Sequence, residues 1–147
     1  MVAYNKFKDF ILQLGKGVHH LQSGGDDLKV YLSNTLPNLT THTIKSQVPE
    51  IAIANGYTGP QSIGNGYTLN GTTGAGELTA AGTGEITFGP ATGAGIAQFQ
   101  YVILYNDTPT SPLDPLIAYF AYPTAVDLAA GESFKVDFGA LVATIGP

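Results

Sequence analysis

Two adjacent histidines, His19 and His20, stand shortly before two adjacent aspartates, Asp26 and Asp27. Imidazole and carboxylate are the groups that ligate metals and move protons near neutral pH. The spacing argues against a chelate. Neighbours on a helix point about 100° apart, whereas an i, i+4 pair shares a face. The third histidine, His42, lies across a loop. We read the pair as the solvated end of a helix, where His also suits the dipole. Asp107 and Asp114 are loop carboxylates without the D-x-D-x-D-G alternation of a calcium loop. Gly64-Asn65-Gly66 and Gly74-Ala75-Gly76 look like phosphate loops. Neither joins a strand to a helix, and no G-K-[ST] is present. No serine sits in a G-x-S-x-G elbow. Glu77 and Glu85, the pair to weigh as a glycosidase dyad, each open a strand and read as solvated. There is no Cys, so disulfides and thiolate metal sites are excluded. The residues present no catalytic constellation. The expectation is a protein that is not an enzyme and needs no metal or cofactor.

Association is the chemistry these residue types favour. The chain has 8 Tyr against 6 Lys plus Arg. Its charged fraction is 12%, about half the usual ~25%. Tyr offers large contact area at low entropy cost and is favoured at interfaces. The candidate interface residues are Tyr4, Phe7, Tyr31, Tyr57, Tyr67 and Tyr119, with Tyr122 as a further partly exposed ring. A net charge of −5 and a pI near 4.8 argue against nucleic acid as a partner. No segment approaches the ~18 apolar residues of a membrane span, and no secretory signal is visible. Folding in a cytoplasm is expected.

These side chains need elements to position them. Tyr4, Phe7, Phe10, Ile11, Leu14, Val18 and Leu21 recur at helical steps, with Lys6, Lys8, Asp9, Gln13 and Lys16 between them. The spacing predicts an amphipathic helix over Tyr4–Leu21, capped by Asn5 and anchored by Phe7, Ile11 and Leu14. Gly15 and Gly17 weaken its second half by about 1 kcal/mol each. Gly24-Gly25 ends it.

The rest of the chain reads as strands. Leu28–Ser33 alternates, with Leu28, Val30 and Leu32 inward and Lys29, Tyr31 and Ser33 outward. Further strands are expected at Tyr67–Asn70, Glu77–Ala81, Glu85–Phe88, Leu116–Tyr122, Ala125–Leu128, Ser133–Phe138 and Leu141–Ile145. Glu50–Ala54 reads as a short turn or strand. N-G-Y-T occurs at Asn55–Thr58 and at Asn65–Thr68, where Asn-Gly supplies positive φ. Pro123 is expected to stop the strand before it. In Leu116–Tyr122, Leu116, Ala118, Phe120 and Tyr122 share one face. In Ser133–Phe138, Phe134, Val136 and Phe138 point inward. The central strand is Gln98–Asp107. Phe99, Tyr101, Ile103 and Tyr105 form one face; Gln98, Gln100, Val102 and Leu104 form the other. Apolar residues on both faces place it mid-sheet. The 147 residues suit one domain, mainly β. It is an antiparallel β-sandwich or jelly-roll-like fold over 28–147 with the single helix over 1–22.

Several segments in order resemble small virion proteins of tailed bacteriophages. They are Tyr4–Phe7, Leu14–His19, Leu28–Thr35, Asn55–Thr58, Tyr101–Asp107, Pro115–Tyr119 and Gly131–Phe138. The group resembles capsid decoration or cement proteins, the auxiliary proteins of the head. The resemblance implies a virion structural protein with the major capsid protein as partner and a homotrimer as its assembly. It implies no functional side chains. In such a trimer the self-contacts are expected on Asn55–Gly76 and Ala91–Gly95, with the helix or its flanking residues toward the shell. The alternative is a tail or adhesin component that binds a host receptor or glycan.

Overall fold

The computed structural model describes residues 4–64, 66–69, 76–79, 84–138 and 141–145; for 66–69 and 141–145 it describes the backbone path. The elements are β1 (Tyr4–Lys6), α1 (Lys8–Gly15), β2 (Leu28–Ser33), β3 (Gln61–Ser62), β4 (Gly66–Leu69), β5 (Gly76–Thr79), β6 (Glu85–Phe88), β7 (Ile96–Asn106), β8 (Leu116–Leu128), β9 (Phe134–Asp137) and β10 (Leu141–Ile145). A 3-10 turn spans Lys45–Gln47. The fold is mainly β with one helix. The sheets run β1-β8-β7-β2-β3, β10-β5-β4 and β6-β9. Each of their pairings is antiparallel.

β7 is the central strand of the five-stranded sheet, as its two apolar faces predict. One face joins the larger core, where Val30, Leu32, Phe99, Val102, Leu104 and Phe120 meet Leu78, Phe88, Val136 and Phe138. The other face joins a smaller core of Phe7, Tyr31, Val48, Tyr101, Ile103, Tyr105, Leu116 and Tyr119, with Leu39 against it.

Two irregularities redistribute side chains between the cores. Phe99 lies with Val102 and Leu104, not with Tyr101 as strict alternation predicts. The register with β8 shifts on both sides of Phe99. A register shift moves later residues to the opposite face. A second shift, between Leu104 and Tyr105, parts Leu116 from Ala118 and Phe120. Leu116 packs with Tyr119 in the smaller core, while Ile117 joins Ala118 in the larger one.

Pro123 does not end a strand. β8 runs through it to Leu128. Phe99 pairs with Val126 and Tyr101 with Ala121, so Pro123 falls in the stretch of shifted register. Proline is tolerated at such a bulge because no ladder hydrogen bond is asked of it there. Glu50–Ala54 is neither strand nor helix.

The N-terminal helix is shorter than its hydrophobic spacing predicts. Only Lys8–Gly15 is helical. Tyr4, Asn5 and Lys6 pair with Phe120, Tyr119 and Ala118 as an edge strand. The residue at the cap is Phe7, not Asn5, and it makes no side-chain cap hydrogen bond. After Gly15 the chain leaves the helix, and Gly17 takes a left-handed φ of 75°. Phe10 is the helix residue fully buried, and Leu14 packs partly against the larger core. Phe7 is fully buried, but Ile11 stands 43% exposed.

Candidate functional site

Buried polar side chains gather where β7 ends. Among the described residues His19, Asp26, Ser33 and Asn106 are the buried polar ones, and three of them meet here. Asn106 is the last residue of β7, and Asp26 lies two residues before the start of β2, with β2 paired to β7. His19 follows α1 and packs its ring edge-on to Phe10 at 4.9 Å. Asn106 Oδ1 accepts from the backbone N–H of Thr108 at 3.1 Å. Its Nδ2 donates to Asp26 Oδ2 at 2.6 Å and lies 3.0 Å from His19 Nδ1. Asp26 Oδ2 also accepts from the backbone N–H of His20 at 2.8 Å. Burial lowers the His19 pKa to about 4, against the opposing pull of Asp26 and Asp9. His19 is therefore neutral near pH 7. Sequence spacing places His19 and His20 together at a solvated helix end. Only His20 is exposed there; His19 is core. The signals for this cluster are Asn106 at the end of an apolar run and Asp26 just before one.

A second polar grouping lies in an open cleft of about 270 Å³ lined by Lys45, Ser46, Val48, Pro49, Glu50 and Asp114. Lys45 Nζ donates to Glu50 Oε2 at 2.9 Å and stands 4.8 Å from the Tyr31 ring centroid. Glu50 Oε1 accepts from the Tyr57 hydroxyl at 2.6 Å. That hydroxyl in turn accepts from the Leu32 N–H at 3.2 Å. The Tyr31 hydroxyl donates to the Val48 carbonyl at 2.8 Å. Burial raises the pKa of both phenols. The Lys45, Glu50, Tyr57 and Tyr31 side chains join the loop 45–57 to itself and to β2. The arrangement ties that loop down.

Three of the tyrosines expected at an interface are core. Tyr31 is fully buried, Tyr57 is 2% exposed and Tyr119 8% exposed. The outward face of β2 is outward only from the larger core; the smaller core covers it. Phe7 is buried in that same smaller core. Tyr4 is half-buried against Phe120, and burial raises its hydroxyl pKa to about 12. The side chain of Tyr67 lies outside the described residues. Tyr122 is half-buried against Phe134.

The remaining candidates disperse. Asp107 pairs with Lys29 at 2.6 Å, while Asp114 lines the Lys45 cleft. Glu85 pairs with Lys135 at 3.2 Å and sits in a different sheet from Glu77. His42 Nδ1 accepts from the Asn38 N–H at 3.1 Å in a turn. Gly66 opens β4, not a helix, and 71–75, with Asn65, lie outside the described residues. Among the described residues no three His, Cys, Asp or Glu side chains gather as a metal site needs. No described helix is long and apolar enough to cross a membrane.

Asn55 and Gly56 take positive φ of 53° and 95°, as the Asn-Gly pair predicts. This turn packs within the chain: Thr92 N–H donates to the Asn55 carbonyl at 2.9 Å. Among the described residues the large apolar side chains in solvent are Ile11, Leu12, Leu36, Ile53 and Leu113.

Comparison of the chain with protein-family models, with curated proteins and with solved structures finds no match.

Proposed function

We propose that this chain is a structural protein of a tailed-phage particle, a decoration protein that binds the outer surface of the head and stabilises it. The observation that carries the reading is its surface. Leu36, Ile53, Leu113, Leu12 and Ile11 are 64%, 61%, 59%, 53% and 43% exposed on a chain only 12% charged. One such residue alone is ordinary; five on a chain with so few charged residues suit a protein that works covered. The ordered series of segments resembling phage virion proteins supports the same reading.

The buried tyrosines move the proposed contact to aliphatic side chains. Ile11 and Leu12 of α1 face the shell, made of the major capsid protein. The fold in this reading is a β-sandwich of jelly-roll type. Its support is the larger core, where β2, β7 and β8 share apolar side chains with β5, β6 and β9. Assembly is as a homotrimer, because three weak contacts made together far exceed one. Such a contact is apolar and survives moderate salt.

Native mass measurement and co-sedimentation with expanded phage heads test the reading. A trimer that sediments with heads at low and high salt is expected, and Ile11→Asp with Leu12→Asp should abolish co-sedimentation. A folded wild-type chain that never sediments with heads refutes it.

A further inference from the structure

We propose that His19 is an acid-operated latch: protonation of its ring releases the segment 16–27 from the end of β7 and uncovers the core beside Phe10 and Leu21. Asn106 is the β7 residue that meets the ring. Its Oδ1 takes the Thr108 N–H and its Nδ2 serves the Asp26 carboxylate. The orientation of this amide is thereby set, and the group that faces His19 Nδ1 at 3.0 Å is an N–H donor. Nδ1 must accept, so the single proton of the neutral ring sits on Nε2.

A second proton has one place to go, Nδ1. There it meets the Asn106 N–H head-on. The amide can yield only by turning, which breaks its bonds to Asp26 and Thr108 together. Asp26 Oδ2 is already engaged by Asn106 Nδ2 and by the His20 N–H. The charged or titratable groups that face the ring are Asp26 on its own segment, Asp9 on α1 and its neighbour His20. β7 contributes the neutral Asn106. The two carboxylates attract the proton, and burial opposes it more strongly.

The closed state is also under-bonded. His19 Nε2 is buried and finds no acceptor among the described residues. Two glycines lie near the ends of the segment, within it: Gly17 and Gly24 take left-handed φ of 75° and 77°. Backbone of this kind reorients at low cost. Phe10 and Leu21 both belong to the larger core, so release exposes apolar surface. This inference is independent of the virion reading.

Hydrogen exchange of the full chain tests it, with rates corrected for the intrinsic effect of pH. Protection of 16–27 should fall about tenfold per pH unit between about pH 6.5 and about 4, while the β7 amides of 101–105 keep theirs. His19→Phe keeps the ring against Phe10 and should hold 16–27 closed through that window. Flat wild-type protection, or an equal fall in His19→Phe, overturns the latch. The wild-type ring nitrogens give a second test that needs no variant. An Nε2–H tautomer near pH 7 that protonates as protection is lost is expected. An Nδ1–H tautomer, or protonation with 16–27 still protected, overturns it.

Discussion

Asn106 Nδ2 lies 3.0 Å from His19 Nδ1, although 87 positions separate the two residues. The same nitrogen donates to the buried Asp26 carboxylate at 2.6 Å. Asn106→Ala leaves a carboxylate that is only 6% exposed with the His20 N–H but without its shortest donor. A hydrogen bond to a charged group contributes about 1.5–3 kcal/mol. We expect Asn106→Ala to lose at least about 2 kcal/mol in urea unfolding at neutral pH. A loss under about 0.5 kcal/mol, the range of ordinary surface changes, would mean that water replaces the amide freely.

The buried His19 also fixes the sign of a pH effect. Its folded pKa, about 4, lies below the ordinary 6.5 of the unfolded chain. The unfolded state therefore binds the extra proton first. Stability is complete above about pH 6.5 and falls as pH drops toward about 4. Carboxylates titrate in the lower part of this range, so the informative quantity is the difference between two curves. His19→Phe should lose less stability than wild type between those limits. Parallel curves would show that His19 is not the group responsible.

Phe7 and Ile11 separate the anchored end of the N-terminal segment from its exposed face. Phe7 is fully buried, and Ile11 is 43% exposed. Phe7→Ala should cost about 3–5 kcal/mol. Ile11→Ala should stay within about 0.5 kcal/mol of wild type in the isolated chain. A Phe7→Ala loss under about 1 kcal/mol in chemical unfolding would show that the smaller core contributes little.

Two glycines should respond in opposite directions to alanine. Gly56 holds a φ of 95°, and a Cβ there would strike the Pro90 carbonyl. Gly15 is helical with open space around it. Gly56→Ala should lower the melting temperature, with a cost above about 1 kcal/mol. Gly15→Ala should raise it, by up to about 1 kcal/mol. Equal shifts of one sign would contradict both local conformations.

Much of the strand pattern is legible in residue order. β2 and β6 fall at Leu28–Ser33 and Glu85–Phe88, as alternation predicts. Phe134, Val136 and Phe138 turn to the larger core while Lys135 and Asp137 stay exposed. Local order does not reveal what covers a second face. Tyr31 is outward from one core and buried in another, because Phe7, Val48 and Leu116 arrive from distant segments. Helical spacing misleads for a similar reason. Tyr4 packs through β1, Phe10 through α1 and Leu21 through irregular chain, and all three reach the larger core. Bulges are silent in composition, so Phe99 and Leu116 change faces without a visible signal. The polar cluster is the least legible part. Adjacent His19 and His20 look alike, yet only one meets Asn106.

We propose that this chain coats a phage head. Immunogold labelling of intact virions of the phage proposed to carry it, with an antibody to the purified protein, tests that proposal directly. The account predicts dense, even label over the head surface, lost when the decoration layer is stripped. Label confined to the tail, or no label on intact particles in which the antibody detects the denatured protein by blot, would contradict it.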